Sequence, residues 1–184
     1  MNAPVVLVLA SGRGERFRAS GGATHKLQAL LGDRTVLQHT LDAVQASGLP
    51  WHLEQLAHPG MGDSIAAAVG ATPDAPGWLV LPADLPLVRP ATLQAVADAL
   101  QGHAVVVPVV AGRRGHPVGF SAELYSELVQ LRGDEGARRV SARYPSIGLE
   151  LGDPGVLFDI DTAADLAALR ASDSGSVPVL QSQG

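Results

Sequence analysis

The chain has 184 residues, 46% of them hydrophobic but only 4% aromatic, so one domain with a core of Ala, Val and Leu is expected. A formal charge of −5 without a basic block argues against nucleic acid as a partner, and the absence of cysteine excludes a disulfide framework, a thiolate nucleophile and a cysteine-bound metal. No apolar run approaches a membrane span and none has the form of a signal peptide, so no membrane partner and a cytoplasmic location are expected.

The first element is an apolar run, Val5-Val6-Leu7-Val8-Leu9, too short for a stable helix and suited to a strand buried on both faces. It runs into Ala10-Ser11-Gly12-Arg13-Gly14-Glu15-Arg16. The glycines permit a tight turn and leave room for phosphates to reach main-chain N–H groups. Arg13, Arg16 and Lys26 add positive charge, so the loop reads as a polyphosphate pocket; a plain turn is the alternative. The dinucleotide fingerprint is excluded because Phe17 takes its third glycine position, and no G-K-[ST] follows to make a P-loop.

Thr35 is the expected N-cap of a helix whose apolar positions recur from Val36 to Val44 and which stops at Ser47-Gly48. A short strand is predicted over 51–57, then a glycine-rich turn, His58–Gly62. Asp63-Ser64 is expected to cap a small-residue helix over 65–71, which faces either the core or a ligand. A third strand, 78–81, ends beside Asp84, where open α/β sheets bind ligands; a turn between prolines is the alternative. A helix from Pro90 should bury Leu93, Val96, Ala97 and Leu100. A fourth strand is predicted over 103–110, then a basic loop, Gly112–Pro117. Ser121 is expected to cap a helix reaching Leu131, with a shorter helix over 137–144. Strands are predicted over 147–151 and 156–158. Asp159-Ile160-Asp161-Thr162 leads into a final helix, 163–170, and residues 171–184 have the composition of a disordered tail. Strands alternating with helices predict a three-layer α/β domain, residues 1–170, with a mainly parallel sheet.

In such a sheet, Asp84 and the pair Asp159 and Asp161 would share the edge that carries the glycine loop. Alternation puts Asp159 and Asp161 on one side and turns Ile160 away. Carboxylates beside phosphates suit Mg²⁺; the alternative is that Asp161-Thr162 only caps the last helix. Arg113, Arg114 and His116 could hold an anionic co-substrate or form a solvated hairpin tip. Cations on the loop and a carboxylate-bound metal suit nucleotidyl transfer, which needs positioning and charge stabilisation more than a covalent nucleophile.

The segments L-A-S-G-R-G-E-R-F with His25-Lys26, G-M-G-D-S-I, L-P-A-D-L-P-L-V, R-G-H-P-V-G-F, G-D-E-G-A-R and D-I-D-T, in this order, resemble the MobA-like nucleotidyltransferases. Within that family they are most similar to the molybdenum cofactor cytidylyltransferases. The resemblance implies a Rossmann-like nucleotidyltransferase fold and Mg²⁺-dependent transfer of CMP from CTP to molybdopterin, with a molybdenum hydroxylase as recipient of the product. It implies that Leu9, Ala10, Ser11, Gly12, Arg13, Gly14, Lys26, Gly62, Ser64 and Asp84 bind the nucleotide, and that Arg16, Lys26 and Asp84 are catalytic. Asp84, Asp159 and Asp161 would hold Mg²⁺, and Arg114, His116 and Asp134 would face the acceptor.

Three departures stand out. The Arg18–His25 segment is longer than the family's, and His25 stands where an aspartate often precedes the lysine. The loop reads Leu9-Ala10-Ser11-Gly12 where the family has L-A-A-G or L-A-G-G, at a position linked to the choice of cytosine or guanine. The stretch from Leu41 to Met61 has room for one strand where relatives have two, so the sheet should be shortened by one peripheral element. The alternatives are the same chemistry with GTP or with a sugar or alcohol phosphate, and a non-catalytic carrier of molybdenum cofactor.

Overall fold

The strand Val5–Leu9 (β1) lies between two parallel neighbours, Trp51–Glu54 (β2) and Gly77–Pro82 (β3), in the computed structural model, which describes residues 3–173. Its apolar residues face both ways: Val6 and Val8 enter one core, Leu7 and Leu9 the other. The strand Val105–Val110 (β4) lies further along the sheet, with Arg113–Arg114 (β5) folding back on it as a hairpin. Val118–Ser121 (β6) joins β3 to β4, antiparallel to both, and Ser146–Glu150 (β7) pairs parallel with β4. Five of the seven strands therefore run one way, so the sheet is mainly parallel, as expected. A separate two-residue ladder joins Leu30–Leu31 to Arg34–Thr35.

Helices cover both faces. On the face of Val6, Val8, Leu79 and Leu81 pack Val36–Ala46 (α2), Pro90–Ala99 (α4) and Ala163–Asp173 (α7). On the face of Leu7, Trp78 and Val80 pack Met61–Gly70 (α3), Tyr125–Leu128 (α5) and Arg138–Ser141 (α6). Each helix supplies an apolar stripe to one side of a doubly buried sheet, which produces the three layers. Thr35 caps α2 in a reciprocal box with Gln38. Leu93, Val96, Ala97 and Leu100 are buried as the α4 pattern requires. Between α2 and α3 lies the single strand β2, at the edge of the sheet.

Several elements differ from the sequence reading. A short helix, Glu15–Ala19 (α1), follows the glycine loop, with Gly14 entering it at φ 62°, and buries Phe17. α3 starts at Met61 with Gly60 as its N-cap, so Asp63 and Ser64 lie in its first turn and do not cap it. Ser121 ends a strand instead of opening a long helix; only a 3₁₀ turn, Ala122–Leu124, and α5 follow. The segment expected as a strand over 156–158 is a 3₁₀ turn, Pro154–Leu157, because Asp153 caps it by accepting the Gly155 N–H. α7 runs on to Asp173, past the predicted end at Arg170; the rest of the expected tail, 174–184, lies outside the described residues.

The start of α3 is braced by a close backbone approach. The Gly62 N–H donates to the Gly133 carbonyl at 2.7 Å, and a Cβ on Gly60 would fall 2.4 Å from the Gly133 carbonyl carbon. Gly60→Ala should therefore displace the 132–134 backbone and lower stability by about 1–3 kcal/mol in denaturant titration. An unchanged midpoint would show that the two segments are not in contact.

Candidate active site

The C-terminal ends of β1, β2, β3, β4 and β7 share one edge of the sheet, and a cleft of about 810 Å³ opens there. Ser11, Gly12, Arg13, Gly14 and Arg16 line it from the β1 loop, Asp84 from the end of β3, and Asp159 and Asp161 from the segment before α7. Lys26, Ser64, Arg114, His116 and Asp134 line it as well. Residues up to 150 positions apart in sequence thus meet at one site. Three of the residues expected there are not on its wall. Leu9 is 5% exposed and packs beneath α3, because it shares the β1 face of Leu7. Ala10 turns toward the opposite core and donates its N–H to the Glu54 carbonyl. Gly62 is buried against the backbone of Arg132. Close packing holds these small or apolar residues behind the wall.

Backbone hydrogen bonds fix the acidic residues. The Ala83 N–H donates to the Leu9 carbonyl, and the Thr40 hydroxyl of α2 donates to the Ala83 carbonyl at 2.8 Å, so the turn carrying Asp84 is held from two sides. The Ile160 N–H donates to the Asp84 carbonyl at 3.1 Å, with the Ile160 side chain fully buried. Asp159 and Asp161 accordingly project into the cleft beside Asp84, in the alternation the sequence suggested. The start of α7 is capped by Thr162 and Asp165: the Thr162 hydroxyl accepts the Asp165 N–H, and the Asp165 carboxylate accepts the N–H groups of Asp161 and Thr162. The Asp161 carboxylate is free of that duty.

One oxygen from each of Asp84, Asp159 and Asp161 lies within 4.8 Å of the others. Lys26 reaches into this group, with Nζ 2.6 Å from Asp84 Oδ2 and 3.4 Å from Asp161 Oδ1; Arg16 lies 2.8 Å from Asp161 Oδ2. Asp84 Oδ1 is buried and has no hydrogen-bond donor. An ionised oxygen left bare in this way is costly unless a cation meets it, and three hard carboxylates are a donor set for a divalent ion such as Mg²⁺ or Mn²⁺. The Asp159 carboxyl is pushed above its ordinary range, first by desolvation and then by repulsion from Asp161 and Asp84.

Ionising Asp159 costs the folded protein more than the unfolded chain, so metal-free stability falls as pH rises through its raised pKa and stays lower at neutrality. Asp159→Asn should leave the thermal midpoint at pH 7 equal to or above that of the wild type, while weakening Mn²⁺ binding about tenfold or more. A lowered midpoint with undiminished metal affinity would contradict this.

Two sets of contacts were not foreseen in the sequence, which marked His25 only as a departure from the family pattern. His25 precedes the lysine turn: its Nδ1 accepts the Leu27 N–H, so the ring proton sits on Nε2 and is donated to the Gly12 carbonyl at 2.8 Å. This imidazole ties the lysine segment to the glycine loop. The other is a cluster around Glu54 at the end of β2, where His52 and His58 flank a buried carboxylate and His58 lines the cleft. His116 stands open to the cleft yet walled in by protein. Desolvation holds its pKa down against the pull of Asp84 and Asp159, which favours the neutral ring.

Arg114 and Asp134 line the cleft as well, Asp134 beside Gly60, and Arg114 donates to the Ser146 hydroxyl at 3.2 Å. Among the described residues no helix is long and apolar enough to cross a membrane.

Comparison with known proteins places this geometry. The chain is 33% identical over 129 residues to the purine catabolism protein PucB of Bacillus subtilis, covering 67% of this chain and 62% of PucB. It spans a quarter and 62% of the lengths of the two curated relatives it matches. Rv0371c of Mycobacterium tuberculosis superposes with a TM-score of 0.75 at 26% identity, over 92% of this chain and 98% of that one. Rv0371c has also been crystallised in complex with manganese, and that form superposes at 0.72. Molybdopterin-guanine dinucleotide biosynthesis protein A of Archaeoglobus fulgidus shares the fold, with a TM-score of 0.67 at 17% identity over 92% and 98% of the two chains. Residues 42–147, which include Asp84, His116 and Asp134, match the MobA-like NTP transferase domain. The chain belongs to the family of MobA-like NTP transferase domains.

Proposed function

We propose that this chain is a divalent-metal-dependent nucleotidyltransferase that transfers CMP from CTP to the phosphate of a molybdopterin acceptor, releasing pyrophosphate. The observation that carries the metal-dependent chemistry is the bare, buried Asp84 Oδ1 among three carboxylates, beside Lys26 and the Gly12–Gly14 turn. The acceptor and the base rest on the motif resemblance and on the size of the cleft.

Asp84, Asp159 and Asp161 would hold the metal, Mg²⁺ in the working enzyme. When bound, it would neutralise charge on the triphosphate and on the leaving pyrophosphate. Lys26 and Arg16, now paired with the carboxylates, would turn their charge to phosphate oxygens. The loop N–H groups between Ser11 and Gly14 would orient the phosphates, with His25 holding the loop in place. Arg114, His116 and Asp134 would position the acceptor. An acceptor phosphate oxygen then forms a bond to the α-phosphorus as the bond between that phosphorus and its bridge to the β-phosphate breaks. The attacking phosphate is already ionised, so no side chain must remove a proton, and no covalent enzyme intermediate is needed. A molybdenum hydroxylase would take the resulting dinucleotide cofactor.

Pyrophosphate release with CTP, GTP, ATP and UTP, each with and without molybdopterin, tests this reading. Release that needs a divalent cation and molybdopterin and is fastest with CTP is expected. Release with another nucleotide, or with a sugar or alcohol phosphate alone, would replace the substrates. No release with any acceptor, with molybdopterin still tightly bound, would replace the enzyme with a carrier.

A further inference from the structure

The Gly12–Gly14 turn has little of its own to fix its shape. Among the described residues, none of the N–H groups of Gly12, Arg13 and Gly14 donates a hydrogen bond. A Cβ built on Gly12 would meet nothing within 4 Å, so no side chain or neighbouring backbone decides which way the Gly12–Arg13 peptide faces. One hydrogen bond decides it: His25 Nε2–H donates to the Gly12 carbonyl at 2.8 Å. The same ring lies against Gly14, where a Cβ would fall 3.3 Å from Nε2.

A trans peptide sets the carbonyl of one residue and the N–H of the next on opposite sides of the chain. With the Gly12 carbonyl turned to His25, the Arg13 N–H points the other way. Gly12, Arg13 and Gly14 line the cleft and His25 does not, so that N–H is presented on the cleft side. The second ring nitrogen has a separate task. Nδ1 accepts the Leu27 N–H at 3.3 Å and so caps the turn Lys26–Gln28.

We propose that His25 is a positioning residue for the nucleotide: by holding the Gly12 carbonyl away from the cleft, it aims the Arg13 N–H at a phosphate oxygen of the triphosphate. Without His25 the peptide is free to turn over. A carbonyl lone pair would then face the phosphates, and a charge-assisted hydrogen bond would give way to repulsion. The inference rests on the nucleotidyl-transfer reading above, and it concerns a position where this chain departs from the family pattern.

The two ring nitrogens can be tested apart. His25→Gln places an amide N–H near the position of Nε2 and gives up the Leu27 cap. His25→Asn places an oxygen near the position of Nδ1, keeps the cap and falls short of Gly12. His25→Ala loses both. The full-length wild type and the three variants are titrated by calorimetry with CTP, GTP, ATP and UTP in the presence of Mn²⁺, and with Mn²⁺ alone. His25→Ala and His25→Asn should bind each triphosphate that the wild type binds about tenfold more weakly, and His25→Gln should stay within about threefold of the wild type. The contact is to phosphate, so the loss should be the same for every base. Mn²⁺ alone should bind all four proteins alike. Affinity kept in His25→Asn and lost in His25→Gln, a loss confined to one base, an equal loss for Mn²⁺ alone, or no loss in any variant would overturn the role of His25 and leave nucleotidyl transfer standing. Failure of the wild type to bind any of the four nucleotides would overturn the transferase reading and this inference together.

Discussion

Asp84→Asn should lower nucleotidyl transfer by about a thousandfold and weaken Mn²⁺ binding at least tenfold, while the protein stays folded. The substitution keeps the shape of a side chain that is 13% exposed and removes its charge. The turn that carries it is held by the Ala83 N–H, the Thr40 hydroxyl and the Ile160 N–H, none of which touches the Asp84 side chain. Lys26 keeps Asp161 as a partner at 3.4 Å, so no ammonium is stranded. The loss therefore falls on the bare Oδ1 and what it binds. Steady-state pyrophosphate release, metal titration and circular dichroism on one preparation check all three parts. Full turnover in the variant would exclude metal-dependent catalysis through Asp84.

Lys26→Met should separate metal binding from catalysis. In the ligand-free protein the Lys26 side chain, 14% exposed, sets its ammonium against Asp84 and Asp161. Removing it deletes a competing cation, so Mn²⁺ alone should bind more tightly than to the wild type. Turnover should nevertheless fall about a hundred- to a thousandfold, because the charge no longer reaches the phosphates of the transition state. Methionine preserves the stem that packs beside the His25 turn. Tighter metal binding with lost activity is the result expected from calorimetry and pyrophosphate assay; weaker metal binding, or activity retained, would mean that Lys26 only fills the site.

How much of this could be read from the residues depended on whether chemistry or packing decided the position. The glycine loop, Asp84 and the Asp159–Asp161 pair could be found because each sits where an apolar strand gives way to charge, and parallel topology gathers such points at one edge. Alternation then correctly turned Ile160 inward. The same logic misplaced Leu9, Ala10 and Gly62. A residue at a strand end or helix start faces either the cleft or the core, and small side chains are required by both. β6 was missed because Val-Gly-Phe-Ser is too short to show a period, and its pairing with β3 and β4 is dictated by distant partners. The 3₁₀ turn at Pro154 overrode a β-prone Val-Leu-Phe run because the Asp153 side chain competes for the local backbone. Glu54 and His58 gave a faint signal, an acid and a histidine four apart; in a loop that spacing carries no fixed geometry, and only the fold shows the two side chains facing each other.

The departures in the sequence acquire physical meaning here. Ser11, the departure from the expected L-A-[AG]-G loop, is tied to Ser64 by their hydroxyls, so it joins the β1 loop to α3. β2 lies at the edge of the sheet, and the loop after it brings His58 to the cleft, with Glu54 buried behind it. The carboxylates, Lys26 and the glycine turn all line the cleft, which is why the transfer chemistry is expected to be kept.

The most direct measurement is an anomalous difference map from crystals grown with Mn²⁺ and CTP. One manganese peak is expected within about 2.5 Å of Asp84 Oδ1, with Asp159 or Asp161 beside it and the triphosphate against the Gly12–Gly14 turn. Manganese bound away from Asp84, or a triphosphate seated elsewhere in the molecule, would contradict it.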